Sequence, residues 1–317
     1  MAGAWLDTLL DRSIIGGYTS LGYRLRSASW GSTALPRLDG RVVVITGATA
    51  GIGLAAAERF AALGADVRLL ARSAERGEAA RARIAERTGN TDVTVHICDL
   101  SIVASVQACA GELAGIVPQI DVLVNNAGVL TARRTMTREG VELTFATNVL
   151  GPFALTQALV PLMAGGGPSR VINVSSGGMY GQKLNVDELQ MEHGTFDGVA
   201  AYARTKRAEV VLTEMWAEHL SGVGIVVHAM HPGWVDTPGV QSSLPRFRAI
   251  TRPLLRTPEQ GADTIVWLGA AHLPGESSGG FWHDRRRRPT HLVPWTRERP
   301  GDRERLWREC VRLSGRH

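Results

Sequence analysis

A glycine-rich turn, TGATAGIG at residues 46–53, constrains the fold of this chain more than any other feature. It follows the apolar run RVVVI and precedes the alanine-rich stretch LAAAERFAAL. Continuous apolar runs are typical of strands buried on both faces of a parallel sheet. A glycine turn between such a strand and a helix is typical of sites that bind phosphates at a helix N-terminus. The turn therefore predicts a βα unit that binds a dinucleotide.

Strand-like and helix-like segments alternate from Arg41 to residue 284. After the first strand, six further segments predict strands: DVRLLAR, VTVHICDL, VLVNNAG, RVINVSS, GIVVHAMHPG and GGFWHD. Helical patterns lie between them, including one at 202–220. Repeated βα units predict an α/β fold, a doubly wound parallel sheet of about seven strands (a Rossmann fold) in a single domain. We assign residues 39–284 to this domain.

Residues 1–38 form an N-terminal extension whose apolar residues recur at helical spacing. Such an amphipathic helix either packs on its own domain, which is the simpler interpretation, or makes peripheral membrane contact through residues 1–30. No run is long enough to span a bilayer, and no signal peptide is evident. A cytoplasmic location is expected, with peripheral membrane association as the variant. The apolar residues of the helical pattern are Trp5, Leu6, Leu9, Leu10, Ile14 and Ile15.

The basic character of the chain is concentrated in a C-terminal tail, residues 285–317. The formal net charge is +5, and the segment from Arg285 onward contains eleven Arg and four acidic residues, a formal charge of +7. The pattern lacks the interleaved aromatic residues of a nucleic-acid module, so we expect no nucleic-acid partner. Three cysteines at 98, 109 and 310 show no ligand spacing, and no metal site is expected.

The glycine turn and the following strand predict which cofactor binds. Gly47 allows the tight turn, Gly51 lets the backbone approach a pyrophosphate, and Gly53 lets the helix pack close to the sheet. An acidic residue that would bind the ribose of NAD is expected about 20 residues later, but the chain has Arg72 near that place. A guanidinium can pair with a 2′-phosphate. NADP(H) is therefore favoured over NAD(H).

The segment AYARTK places Tyr202 and Lys206 one helical turn apart. Alone, this spacing would most often be a solvated pair on a helix. The other motifs change that interpretation, because with them the chain resembles the short-chain dehydrogenase/reductase family over most of its length. The resemblance rests on TGATAGIG, CDL, NNAG, TNVLGPF, NVSS, AYARTK and HPGWVDTP, in this order.

The resemblance implies a set of functional residues. The catalytic residues would be Asn148, Ser176, Tyr202 and Lys206. The cofactor-binding residues would be Gly47, Thr49, Ala50, Gly51, Ile52 and Gly53 in the turn, Arg72, Asp99 and Leu100 at the adenine end, Asn126, Ala127 and Gly128 beside the central strand, Tyr202 and Lys206, and Pro232, Gly233, Val235 and Thr237 in the nicotinamide loop.

A narrower resemblance points to the retinol-dehydrogenase-like branch of the family, through segments such as YARTKR and MHPGWVDTPGV. Ser176 and Tyr202 lie 26 residues apart, farther than in the shorter members, and the branch carries a similar insertion. The extra loop, residues 181–198, is expected to border the substrate pocket. Trp234 is the best candidate for substrate contact. The resemblance also implies a homo-oligomer, a dimer or a tetramer.

These residues predict an oxidoreductase that acts on a small carbonyl or alcohol substrate, expected to be lipophilic. Lys206 would lower the pKa of Tyr202, the general acid and base, while Ser176 holds the substrate oxygen and Asn148 positions a proton-relay water. An alternative is a cofactor-binding regulatory or scaffold protein on the same fold. An epimerase or dehydratase is disfavoured, because those relatives use a different glycine spacing and a longer C-terminal domain.

Overall fold

A computed structural model describes residues 14–30 and 34–315 of the chain. Its centre is one eight-stranded sheet in the order β3-β2-β1-β4-β5-β6-β7-β8, in which β1 to β7 are parallel and β8 is antiparallel. This confirms the doubly wound fold and adds an eighth strand to the expected seven. The strands are β1 (Val42–Thr46), β2 (Asp66–Ala71), β3 (Val93–Ile97), β4 (Val122–Asn125), β5 (Ser169–Val174), β6 (Ile225–Met230), β7 (Gly280–His283) and β8 (Arg286–Arg288).

Helices cover both faces of the sheet. One apolar core lies between the sheet and α3, α4 and α10, and the other between the sheet and α5, α6, α7 and α11. The helices are α1 (Ile14–Tyr18), α2 (Ser20–Ser27), α3 (Gly51–Ala62), α4 (Ala74–Thr88), α5 (Val103–Ile116), α6 (Leu143–Met163, including a π-helical segment, Ala146–Leu150), α7 (Gly198–His219), α8 (Pro238–Ser243), α9 (Pro245–Thr251), α10 (Pro258–Ala270) and α11 (Asp302–Leu313).

Helix α6 is long and apolar enough to cross a membrane by length and composition, but 78% of its apolar window is buried inside the protein. Pro161 lies in its last turn. The helix packs on α5 and contacts β5. Its hydrophobicity is therefore explained by its place in the core.

The strand order places a crevice beside β1. The chain runs outward through β2 and β3 on one side of β1, then returns to start β4 on the other side. At such a switch point the loops after neighbouring strands diverge, and ligands bind outside the carboxyl ends of the strands. The glycine turn follows β1 directly, so it lies at this crevice.

The C-terminal region continues the domain instead of leaving it. Asp284 and Arg285 both have left-handed backbone, with φ of 50° and 57°, and join β7 to β8 in a two-residue hairpin of the type that such geometry allows. Arg285 pairs with Asp263 at 2.6 Å. In α11, Leu306 and Cys310 are fully buried. The predicted basic tail is thus folded onto the sheet and helices over its described part, while the boundary between residues 284 and 285 stays a prediction.

The N-terminal segment of residues 14–30 packs on the domain, whereas the packing of the predicted apolar stripe stays a prediction. The Gly17 carbonyl accepts hydrogen bonds from Arg26 Nη1 at 3.0 Å, Arg256 Nη2 at 2.9 Å and His283 Nε2 at 3.1 Å. Asp284 pairs with Arg26 at 2.8 Å and with Arg256 at 2.6 Å. We call these five residues the N-terminal clasp.

The predicted helix extends beyond what the structure describes. Trp5, Leu6, Leu9 and Leu10 lie outside the described residues. The structure describes only the backbone of Ile14 and Ile15, which open α1.

Candidate active site

A cleft of about 340 Å³ opens at the carboxyl ends of the strands around β1. Most of the cofactor-binding residues predicted from the sequence line it. These are Gly47, Thr49, Ala50, Gly51, Ile52, Arg72, Leu100, Asn126, Ala127, Gly128 and Thr237. We call this space the cofactor cleft.

The glycine turn is held in place by the residues after β4. Gly47 has φ of +65°, and a β-carbon there would lie 2.9 Å from the Ala127 Cα, so the position favours glycine strongly. Asn126 Nδ2 donates to the Thr46 carbonyl at 3.0 Å, and Thr46 Oγ1 accepts from the backbone N–H of Asn126 and of Ala127. The turn and the NNAG element therefore form one rigid wall.

Two arginines line the end of the cofactor cleft that is nearest to the carboxyl end of β2. Arg72 follows β2, and Arg76 lies in the first turn of α4, whose N-cap Ser73 accepts a hydrogen bond from the Arg76 N–H. Sequence analysis selected Arg72 and missed Arg76. The spacing of four residues across a helix N-terminus was the available signal, since it brings both side chains to one side of the turn.

Some of the predicted cofactor residues lie outside the lining of the cleft. Gly53 lies beneath the turn, against Asn126. The Asp99 carboxylate accepts hydrogen bonds from the Ser101 N–H and hydroxyl, at 2.9 and 2.7 Å. The Pro232 carbonyl accepts from Arg256 at 3.2 Å, and Val235 is buried.

The predicted nicotinamide loop links the clasp to the cleft. Gly233, also outside the cleft lining, lies against Arg256 and the Tyr18 carbonyl. At the other end, Thr237 caps α8 by accepting from the Val240 N–H, and its methyl group lies next to Gly51. The roles of these residues toward a cofactor stay predictions.

Helix α7 carries the predicted tyrosine and lysine. Its N-cap is Asp197, whose carboxylate accepts from two backbone N–H groups. Lys206 Nζ donates to the Val174 carbonyl at 2.9 Å and lies 5.5 Å from the centre of the Tyr202 ring. A β-carbon at Gly128 in the cleft wall would lie 3.4 Å from the same ammonium. The pair thus borders the cofactor cleft.

Burial dominates the electrostatics of Tyr202. It raises the pKa of the phenol above 10, whereas the Lys206 charge and the Ser176 hydroxyl lower it, and the net pKa is raised in the protein alone. Lys206 lowers the pKa of Tyr202, as the sequence predicts, but its effect is smaller than that of burial. Burial also opposes the charge of Lys206, but Glu209 and Tyr202 outweigh it, and the pKa of Lys206 is raised. Lys206 therefore stays an ammonium.

Asn148 lies in the π-helical segment of α6, with both polar atoms of its amide engaged. Its Oδ1 accepts from the Val129 N–H at 2.8 Å, and its Nδ2 donates to the Val129 carbonyl and to Thr205 Oγ1, each at 3.0 Å. Asn148 thereby ties the loop after β4 to α7. Ser176 follows β5 and accepts from the Gly178 N–H at 3.2 Å. The proton relay predicted for Asn148 stays a prediction.

Tyr18 is a candidate pocket residue that the sequence analysis did not select. A β-carbon at Gly177, the neighbour of Ser176, would lie 2.5 Å from the Tyr18 ring. The ring also packs edge-on against His231 at 4.6 Å and Trp234 at 6.2 Å between centroids. Nothing local in the sequence places residue 18 beside residue 177, because the contact depends on the N-terminal clasp.

The described residues contain no group of three or more His, Cys, Asp or Glu that could hold a metal ion. The three cysteines are free and buried. Burial raises the pKa of the Cys310 thiol, which makes this residue a poor nucleophile. The candidate catalytic groups therefore remain those predicted from the sequence: Ser176, Tyr202, Lys206 and Asn148.

Comparisons with known proteins agree with this geometry. The short chain dehydrogenase family model matches residues 41–246. Dehydrogenase/reductase SDR family member 12 of Bos taurus is 42% identical over 292 residues, covering 91% of this chain and 91% of that protein. Retinol dehydrogenase 12 of Homo sapiens is 35% identical over 281 residues, covering 88% of each.

Solved structures show the same likeness. A protein from Mycobacterium paratuberculosis superposes with a TM-score of 0.72 at 26% identity, covering 91% of this chain and 98% of that chain. The Pseudomonas aeruginosa RhlG/NADP active-site complex superposes with a TM-score of 0.64 at 26% identity, covering 77% of this chain and 94% of that chain.

Proposed function

The chain belongs to the short-chain dehydrogenase/reductase family, and from that premise we propose that it is an NADP(H)-dependent oxidoreductase that interconverts a carbonyl and an alcohol. One observation carries the proposal: Tyr202 and the buried Lys206 lie together beside the cofactor cleft, with the ammonium 5.5 Å from the centre of the Tyr202 ring and 3.4 Å from where a β-carbon at Gly128 would stand. A phenol and an ammonium in that place can move a proton beside a bound nicotinamide.

The residues present fit a dinucleotide. The left-handed Gly47 and the small residues after it leave room for backbone contact with a pyrophosphate at the N-terminus of α3. Arg72 and Arg76 supply positive charge at the far end. When bound there, a reduced nicotinamide supplies the hydride for the carbonyl carbon.

The side chains of the chain then handle the oxygen and the proton. The Ser176 hydroxyl donates a hydrogen bond to the carbonyl oxygen as negative charge develops on it. The Tyr202 hydroxyl donates its proton to that oxygen, so that an alcohol leaves and a phenolate remains. Lys206 stabilises this phenolate through its charge, and solvent returns the proton. Oxidation of an alcohol reverses these steps.

The two arginines support a preference for NADP(H). A 2′-phosphate carries two negative charges or nearly so, and guanidinium groups bind phosphate with paired N–H donors. Within the described residues, neither Arg72 nor Arg76 forms an ion pair. On the helix that carries Arg76, Arg81 pairs with Glu78. Both side chains are therefore free to take up a phosphate.

Fluorescence titration of the purified protein with NADPH and with NADH tests the cofactor. NADPH should bind at least about tenfold more tightly, since loss of one charged hydrogen bond costs about 1.5–3 kcal/mol. Arg72→Ala and Arg76→Ala should weaken NADPH binding and leave NADH binding unchanged. Arg81→Ala, on the exposed face of the same helix, is the matched control. Tighter NADH binding by the unaltered protein contradicts the preference.

The class of substrate is proposed to be lipophilic. The name of the relative retinol dehydrogenase 12 supports this, as do the Tyr18 ring beside Gly177 and the Trp234 ring, whose centroid lies 6.2 Å from that of Tyr18. The loop 181–198 is proposed to border the pocket. A screen of aldehydes, ketones, steroids and retinoids for NADPH consumption identifies the substrate. Turnover restricted to small hydrophilic carbonyls contradicts a lipophilic pocket.

Peripheral membrane contact through residues 1–30 is a further part of the proposal. Leu21 and Leu25 lie one turn apart on α2 and are 56% and 40% exposed. An exposed apolar stripe on a docked helix can enter the interface of a bilayer. A cytoplasmic location and a dimeric or tetrameric assembly remain proposals as well; sedimentation velocity measures the latter.

A regulatory or scaffold role on the same fold is less favoured. Such a role would not need Tyr202 and Lys206 together beside the cofactor cleft.

A further inference from the structure

Glu209 lies one turn beyond Lys206 on α7 and is the counter-ion of its ammonium. Lys206 Nζ and Glu209 Oε1 are 2.7 Å apart, and the two side chains are 3% and 9% exposed. The ammonium has three N–H donors. One goes to Glu209 and one to the Val174 carbonyl of β5, so Glu209 helps to fix Lys206 between the sheet and the cofactor cleft.

The second carboxylate oxygen of Glu209, Oε2, makes fewer interactions than Oε1. Oε2 is buried and has no hydrogen-bond partner within the described residues. It belongs to a residue that lines a small cavity of about 20 Å³, together with Asn148, Thr156 and Asn173, which is room for one water molecule. These neighbours are neutral. The carboxylate is therefore stabilised mainly through one oxygen.

Within the described part of the chain, no other titratable group contributes charge to this corner. On its own helix Glu209 faces Lys206 and Tyr202; β5 presents the neutral Asn173 and the Val174 carbonyl, and α6 presents the neutral Asn148 and Thr156. Burial raises the pKa of Glu209 to about 7, although Lys206 lowers it. At Tyr202 the two charges act in opposition, because Lys206 lowers the pKa of the phenol and Glu209 raises it.

We propose that Glu209 is a positioning residue for the acid–base step: its carboxylate holds the Lys206 ammonium and offsets part of the attraction of that ammonium for the Tyr202 phenolate. The inference rests on the proposed function, because Glu209 acts only through Lys206 and Tyr202. Its consequence is a phenol that keeps its proton to higher pH. Ionised Glu209 thus favours proton donation, and with it reduction of the carbonyl, at neutral and mildly alkaline pH.

The pH dependence of alcohol oxidation with NADP⁺ tests this, with an alcohol found in the substrate screen. Oxidation requires the phenolate, so kcat/KM rises as Tyr202 ionises. Glu209→Gln keeps the shape and one hydrogen-bond acceptor but removes the charge. It should move the rising limb to lower pH by about one unit. Glu218→Gln is the matched control, since Glu218 lies on the same helix and is 69% exposed; its profile should superpose on that of the unaltered protein.

A second readout needs no turnover. Near-ultraviolet difference absorbance between the unaltered protein and Tyr202→Phe reports ionisation of this single phenol. The same difference between Glu209→Gln and the double variant that combines Glu209→Gln with Tyr202→Phe should show ionisation at lower pH. The difference for the unaltered protein needs no substitution at Glu209, and in the absence of cofactor the Tyr202 phenol should ionise above its ordinary pKa of 10.

These measurements distinguish failure of the Glu209 inference from failure of the proposed function. An unmoved limb in Glu209→Gln, or one that moves to higher pH, overturns the inference; the upward shift would mean that Glu209 acts by keeping Lys206 charged. Ionisation of Tyr202 below pH 10 in the unaltered, cofactor-free protein overturns it as well. The proposed function itself fails separately, if Tyr202→Phe retains turnover.

Discussion

The cofactor cleft and the N-terminal clasp differ in how the chain builds them. The cleft is assembled mainly from short contiguous motifs that follow strands of the sheet. The clasp joins Gly17 and Arg26 to Arg256, His283 and Asp284 across more than two hundred residues, and it is held by buried charge. Short sequence motifs therefore supply the predicted reactive groups. The clasp instead positions one wall of the site, through contacts between residues that lie far apart in the sequence.

Removal of the charge at the centre of the clasp should have the largest effect on stability. Asp284 is 2% exposed and is the counter-ion of two arginines that are 4% and 1% exposed. Asp284→Asn leaves both cations buried without it, and the free energy of unfolding should fall by about 3–5 kcal/mol. Urea denaturation measures this.

The matched control is Asp39→Asn, which breaks an exposed ion pair with Arg37 and should cost far less stability, because water screens an exposed pair. Equal losses in the two variants would show that the clasp contributes no more than a surface pair.

Acid should weaken the clasp through its histidine. Burial lowers the pKa of His283 to about 4, although Asp284 opposes this, and burial lowers the pKa of the neighbouring His231 well below 6.5. At these two side chains the unfolded chain takes up protons near pH 6.5 while the folded protein does not, so their contribution to the free energy of unfolding falls as the pH drops from about 6.5 to about 4. The loss at His283 should be on the order of 3 kcal/mol. Glu209, whose pKa is raised to about 7 in the folded protein, contributes in the opposite direction.

Urea midpoints at a series of pH values measure it. His283→Asn should be less stable near neutral pH, and its deficit relative to the unaltered protein should shrink as the pH falls toward 4. A deficit that does not change with pH would contradict a neutral, buried His283 in the clasp.

The contrast also explains what the sequence could predict. The parallel sheet, the glycine turn and the tyrosine–lysine pair each depend on spacing within a few residues, and the structure places them as expected. Arg76 and Glu209 were open to the same reasoning, since each lies one turn from a predicted residue. Tyr18 was not, because its place beside Gly177 follows from the docking of the N-terminal segment.

The packing of C-terminal helix α11 was equally hidden. The arginine-rich composition after residue 284 suggests a solvated tail, but Leu306 and Cys310 lie on one face of α11 at a spacing of four. The many charged residues of this segment suggest exposure to solvent. Its packing is determined instead by the burial of its few apolar residues.

Tyr18 offers a way to sharpen the comparison, because it lies where the two regions meet. Tyr18→Ala removes the ring that packs beside Gly177 and against His231. KM for a lipophilic substrate should rise by about tenfold, as expected for a loss of about 1.4 kcal/mol of contact energy, while the Kd of NADPH stays unchanged. Steady-state kinetics and fluorescence titration separate the two. A change confined to NADPH binding would place Tyr18 in the cleft instead.

The smallest effect on stability is expected at the exposed stripe of α2. Leu21→Ser combined with Leu25→Ser should change the free energy of unfolding by less than about 0.5 kcal/mol, since both side chains face solvent. Co-sedimentation with phospholipid vesicles should nevertheless fall, if these residues enter the bilayer. Leu292→Ser, at a leucine that is 58% exposed elsewhere, is the control. Vesicle binding that is unaffected by the double change would contradict the membrane contact.

The central claim is that Tyr202 moves the proton while the cleft holds the cofactor, and one pair of measurements on Tyr202→Phe tests it. The substitution removes only the hydroxyl, so NADPH should bind with an affinity within about threefold of the unaltered protein. Turnover should fall by at least about a hundredfold, as expected for loss of a general acid. Turnover that survives the substitution would contradict the account, and the proton would then have to come from another group at the cleft.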